Sequence, residues 1–155
     1  LYSSAASDVY KRQPQVMRVF VYDDNCGPCV PLARLLAQRT RGRLEVIPFS
    51  RVITELSEDD VERFTEEALY AAGPAPAPGT ALPDAAHLWG HRAIAAGLAA
   101  SHHRADRLLA RIILAPGVTA VSQLAYRWFS RNRWRFGGGS CAVNPAGQTP
   151  TSPTR

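Results

Sequence analysis

The sequence predicts an α/β domain: a small mixed sheet flanked by helices, with two extra helices at the C-terminal end. Three observations carry this. Residues 16–49 read strand, helix, strand within a short span, the βαβ unit that crosses over right-handed into parallel pairing. A proline- and glycine-rich connector at 73–79 separates that unit from a short strand-like stretch at 85–90. From residue 91 onward three successive segments carry helical patterning. A chain of 155 residues fits one such domain.

Residues 1–15, LYSSAASDVYKRQPQ, lack apolar periodicity and precede Met17, the sole methionine. They are read as a leader foreign to the fold, with a natural disordered tail as the alternative. VMRVFVYD (16–23) has almost no polar face and reads as a strand covered on both sides. CVPLARLLAQRT (29–40) places Leu32, Ala33, Leu35 and Leu36 on one helical face, with Arg34, Gln38 and Arg39 largely opposite. Arg41–Gly42 stops that helix, and RLEVIPF (43–49) is the second strand. LSEDDVERF (56–64) opens a helix with Ser57 as cap and acids in the first turn.

TEEALYAAG (65–73) fits two states: propensity continues the helix, whereas the fold asks for a strand. HRAIAAGLAAS (91–101) reads as a helix and RADRLLARIILAP (104–116) as an amphipathic one ended by Pro116. GVTAVSQLAYRWFSRNRW (117–134) is another, with Val118, Val121, Leu124, Ala125 and Trp128 at helical spacing. The domain is expected to run from 16 to 141, with residues 142–155 a disordered tail.

Composition removes several classes of function. The chain is 46% apolar and 20% charged, which is not a disordered polyelectrolyte. No apolar run approaches the roughly 18 residues of a membrane span. The three cysteines, Cys26, Cys29 and Cys141, are too few and odd in number for a disulfide scaffold. That usage suits a reducing compartment, and with no secretory pattern in view a cytoplasmic location is expected. The net charge of +5 is uneven: Glu55 to Glu67 holds seven acids and one arginine, and His102 to Arg135 holds seven arginines and one acid.

DDNCGPCVP (23–31) places Cys26 and Cys29 three apart, where a strand gives way to a helix. Three chemistries compete. A structural zinc site needs four ligands, but Cys141 stands apart, and glycine breaks the stretch carrying His87 and His91. Two inert buried thiols are the second reading. The third is a dithiol–disulfide redox centre, which a CxxC beside a βαβ unit signals. Unpaired N–H groups and the positive helix end stabilise thiolate over thiol there. Gly27 and Pro28 make a tight turn expected to expose Cys26 as the attacking sulfur and tuck Cys29 behind it as the resolving one. Asp23 is a candidate for proton handling or for holding the turn.

Here a resemblance enters. VYDDNCGPC resembles the Y-D-G-x-C-x-x-C opening of the thiol-disulfide oxidoreductase DCC family, a thioredoxin-like group. AYRWFSRNRWRFGGGSC (125–141) is similar to that family's closing segment, and WGHRAIAAGL (89–98) resembles its middle one. The resemblance implies a thioredoxin-like fold and exchange with protein or small-molecule disulfides and thiols. It implies Cys26 and Cys29 as the reacting pair, supported by Tyr22, Asp23, Gly27 and Pro28. No metal, organic cofactor, nucleic acid or membrane span is implied.

The sequence also departs from the family pattern. Asp24 stands where the family has glycine, a strain if that position needs positive φ. Pro31 would cost a backbone bond if the helix began at Cys26. Pro83, then Pro48, are the candidates for the proline that thioredoxins set in cis opposite the dithiol.

A rival reading rests on YRWFSRNRWRF (126–136), whose four arginines alternate with aromatics. Such a segment can bind nucleic acid or an anionic membrane surface. The simpler expectation is that Tyr126, Trp128 and Phe129 cover the core while the arginines are solvated and pair with the acidic 55–67 stretch. His102–His103 is read as a feature of a helix-to-helix connection, and Cys141 as a surface thiol or a third redox thiol.

Overall fold

The computed structural model describes residues 16–74, 78–83, 87–132 and 135. The leader, Cys141 and the C-terminal tail lie outside them. β1 (Met17–Tyr22), α1 (Cys29–Thr40) and β2 (Glu45–Pro48) form the βαβ unit. β1 and β2 pair in parallel, with Val19 opposite Glu45 and Tyr22 opposite Pro48. A 3₁₀ turn (Phe49–Arg51) leads to α2 (Glu58–Phe64), β3 (Leu69–Gly73) and β4 (His87–Trp89). Three helices close the described chain: α3 (His91–Ala99), α4 (Arg104–Ile113) and α5 (Val118–Asn132). The sheet order is β2-β1-β3-β4, with β3 antiparallel to both β1 and β4. This mixed sheet is the thioredoxin-like arrangement, and α4 and α5 are the two helices added to it.

β1 is covered on both faces, which is why its sequence shows no polar side. Val19 and Val21 pack with Ile47, Phe49, Val52, Phe64 and Leu69. Phe20 packs on the other face with Leu44, Tyr70 and Ala93, flanked by Leu36 of α1 and Ile94 of α3. Phe49 and Phe64 stack with centroids 4.1 Å apart. That stack seats α2 under the end of the sheet nearest the cysteines.

The ambiguous 65–73 stretch divides. α2 stops at Phe64, and Leu69, Tyr70 and Ala71 become a buried strand. Burial between β1 and β4 overrides the helix propensity of the Glu/Ala run, since the central strand needs a partner on that side. β2 is shorter than 43–49 because Pro48 has no N–H to extend the ladder and Phe49 turns into the 3₁₀ segment. Ser57 caps α2, accepting the Asp60 N–H at 3.2 Å. α1 ends with Arg41 in the left-handed region at φ 47 and Gly42 at φ 81.

One buried polar cluster ties α4 to α1. Asp106 is 5% exposed and pairs with Arg39 at 2.5 Å. It also accepts the Ser101 hydroxyl at 2.7 Å. Ser101 in turn accepts the His103 N–H at 3.1 Å, and the His102 N–H donates to the Arg39 carbonyl at 3.0 Å.

Candidate active site

The turn between β1 and α1 is built by backbone satisfaction. Asp23, 6% exposed, accepts the Asn25 N–H on Oδ1 at 2.9 Å and the Cys26 N–H on its carbonyl at 3.2 Å. The Cys26 carbonyl accepts the N–H groups of Cys29 at 3.0 Å and Val30 at 3.3 Å. α1 therefore starts at Cys29, with Pro28 as its cap residue and no acid in its first turn. The Val30 N–H makes a helical i→i−4 bond to the Cys26 carbonyl, and Pro31 has no N–H to make the next one to Gly27, so the regular helix is counted from Cys29.

Asp24 meets no strain. Among the described residues the one non-glycine with positive φ is Arg41. Asp24 instead accepts the Ser50 N–H at 3.3 Å and the Ser50 hydroxyl at 2.7 Å. It ties the cysteine turn to the segment after β2.

Cys26 and Cys29 form a disulfide, with Cα atoms 5.2 Å apart. Their exposure reverses the expectation. Cys26 has no solvent access at all, and Cys29 is half-buried at the edge of a cavity. Tyr22 is half-buried and lines the same cavity. Gly27 is exposed and Pro28 half-buried.

The cavity has a volume of about 230 Å³. Leu32, Leu35, Phe64, Tyr126 and Phe129 supply much of its apolar wall beside Cys29. α5 is fixed over it by two contacts to the strand entry. Tyr126 Oη accepts the Ala68 N–H at 2.7 Å, and the Ser130 hydroxyl donates to the Glu66 carbonyl. Leu32 and Leu35 are 55% and 43% exposed and form part of this wall. The apolar stripe of α1 is wider than the strip the sheet covers. Of that stripe, Ala33 is buried, with Leu36 packed beside the core.

Residues 20–139 match the DCC1-like thiol-disulfide oxidoreductases. The chain belongs to that family. A DCC1-like chain is a thiol-disulfide oxidoreductase, and in this one Cys26 and Cys29 are joined as a disulfide. Neither a curated protein nor a solved structure gives a match.

Other residues singled out in the sequence fall elsewhere. All described peptide bonds are trans. Pro48 lies opposite Tyr22 at the end of β2, and Pro83 is buried in the β3–β4 connection. No proline lines the cavity that Cys29 borders among the described residues. His87 lies 3.8 Å from Asp60. Among the described residues no three His, Cys, Asp or Glu side chains cluster as a metal site would require.

His91 Nε2 is buried with no hydrogen-bond partner among the described residues. Burial, reinforced by the Arg92 charge, lowers its pKa. His102–His103 lies between α3 and α4.

The Arg/aromatic segment divides by face. Tyr126 and Phe129 turn toward the cavity, whereas Trp128 is 60% exposed. The expectation that Trp128 covers the core is therefore corrected. On a helix it sits about 100° from Phe129, and that rotation puts it outside. Arg127 and Arg131 border a small cleft with Glu66 and Glu67. Arg133, Trp134 and Phe136 lie outside the described residues.

The sequence reading missed the cavity and the Asp24–Ser50 link. Tyr126 and Phe129 at i, i+3 were the one signal for the cavity, and nothing local marks Ser50.

Proposed function

We propose that this chain catalyses thiol–disulfide exchange through the Cys26–Gly27–Pro28–Cys29 dithiol, with Cys26 attacking and Cys29 resolving. The observation that carries this is a Cys26–Cys29 disulfide bordering an apolar cavity. In the reducing direction the Cys26 thiolate attacks one sulfur of a substrate disulfide. A mixed disulfide forms and the other substrate sulfur leaves as thiolate. The Cys29 thiolate then attacks the Cys26 sulfur, expels the second substrate thiolate and restores the Cys26–Cys29 bond. The substrate is reduced by two electrons and the dithiol oxidised by two. Helix N–H groups favour thiolate at this position, and the cavity suits an apolar side chain beside the reacting substrate sulfur.

Burial of Cys26 favours a second reading of the roles. In the oxidised form an incoming thiolate meets Cys29 first, which makes Cys29 the sulfur that carries the mixed disulfide and Cys26 the leaving group. Single serine variants separate the two. The proposed roles require Cys29→Ser to trap substrate on Cys26; accumulation of mixed disulfide in Cys26→Ser instead assigns it to Cys29. Full insulin-reducing activity in the double serine variant would refute dithiol chemistry altogether. On the cysteine usage we place the exchange in the cytoplasm, with residues 16–141 as the working domain.

A further inference from the structure

α4 and α5 turn apolar side chains outward. Leu108, Leu109 and Ile112 of α4 are 58%, 47% and 47% exposed, and Val121, Leu124 and Trp128 of α5 are 63%, 67% and 60% exposed. On each helix these positions share one arc of the wheel. Leu114 and Val118, at the corner between the helices, are exposed as well. No residue of α5 is buried.

The exposed charges carried by the two helices have one sign, with Glu66 and Glu67 meeting Arg127 and Arg131 only at the small cleft. Arg104, Arg111, Arg127 and Arg131 are exposed on these helices, while the single acid, Asp106, is buried against Arg39 and Ser101. No single described helix is long and apolar enough to cross a membrane, and the α4–α5 pair bends by 100°. Two helices meeting at such an angle define a plane that a flat surface can touch along both.

We propose that the α4–α5 corner is an interfacial docking face for an anionic phospholipid surface. The outward leucines, valine, isoleucine and tryptophan enter the acyl boundary, and the arginines meet the headgroup phosphates. Complementarity of charge selects this occupant. A second copy docked on the same face would oppose arginine to arginine, since the one acid carried by these two helices, Asp106, is buried. A nucleic acid would find mostly aliphatic side chains, which offer no stacking platform. The face is separate from the Cys29 cavity, which α5 meets through Tyr126 and Phe129 on its other side.

The test is co-sedimentation of the full chain with vesicles of phosphatidylcholine alone and of phosphatidylcholine mixed with phosphatidylserine, at low and high salt. Binding is expected to the mixed vesicles, weaker on phosphatidylcholine alone, and to fall as salt rises. The Leu108→Asn/Leu124→Asn double variant is expected to lose at least about tenfold in apparent affinity. Arg111→Gln/Arg131→Gln is expected to lose the phosphatidylserine preference and the salt dependence. All four positions are exposed, so circular dichroism should show unchanged folding.

Absence of binding to either vesicle overturns the proposal, as does vesicle binding unchanged by the leucine substitutions. A concentration-dependent dimer abolished by the same leucine variant assigns the face to a second copy. Salt-sensitive binding to polyuridylate at the affinity seen for vesicles assigns it to nucleic acid.

Discussion

Replacing Asp106 by asparagine removes a charge from a buried cluster while keeping its shape. Asp106 is enclosed, and its carboxylate takes the Ser101 hydroxyl at 2.7 Å and the Arg39 guanidinium at 2.5 Å. Breaking a wholly buried ion pair costs about 3–5 kcal/mol. Arg39 has 41% of its side chain exposed, so it recovers much of its solvation. What remains is a charge-assisted hydrogen bond inside a buried network, about 2 kcal/mol.

The pH dependence follows from the direction of the shift. The Ser101 hydrogen bond, then the charge and hydrogen bond of Arg39, hold the Asp106 pKa below its ordinary value against the opposing effect of burial. A depressed carboxylate contributes stability that is present above its unfolded pKa and is lost as pH falls through the folded one. Urea unfolding followed by far-UV circular dichroism, with the disulfide kept oxidised, measures both effects. The Asn variant should be about 2 kcal/mol less stable at neutral pH, lowering Tm by several degrees. The gap between the two proteins should shrink as pH is taken down through the acid range where carboxylates protonate. A gap that holds constant into acid would refute the assignment of that stability to the Asp106 charge.

Three further outcomes are expected. Tyr126→Phe deprives the Ala68 N–H of its 2.7 Å acceptor and should cost about 1–2 kcal/mol in urea unfolding, with faster amide exchange at Ala68. Trp128→Ala should cost no more than about 0.5 kcal/mol, since the side chain is 60% exposed; a loss near the roughly 3–5 kcal/mol of a core tryptophan would show that it packs inside. Ser57→Ala removes the cap on the Asp60 N–H and should lower stability by about 1 kcal/mol, restored in large part by Ser57→Asp.

The parts of the fold legible in the sequence are those fixed by local pattern. β1 shows no polar face because Val19 and Val21 meet one core and Phe20 the other. Ser57 announces α2 because a cap is a contact between near neighbours. The 65–73 stretch was not legible in this way, since its strand state depends on pairing with β1 and β4.

At the site, the cysteine spacing pointed to the disulfide, but which of the two residues is the buried one was not written in that spacing. The cavity draws its wall from β1, α1, α2, α3 and α5, a juxtaposition no window of sequence contains. α5 is the instructive case. Its apolar spacing is that of a core helix, yet the side facing the domain is occupied by Tyr126, Phe129 and Ser130, which leaves Val121, Leu124 and Trp128 pointing away.

α1 is held at its two ends by bonds of different kinds. At the far end the Arg39 side chain and carbonyl are engaged by Asp106 and the His102 N–H, contacts indifferent to electrons. At the near end the first residue, Cys29, is stitched to Cys26, a link that two electrons undo. The helix is thus a beam with one permanent clamp and one redox-operated latch. Without the latch the first turn would keep only its backbone tie, the Cys29 and Val30 N–H groups on the Cys26 carbonyl, while the far clamp would hold the rest of the beam.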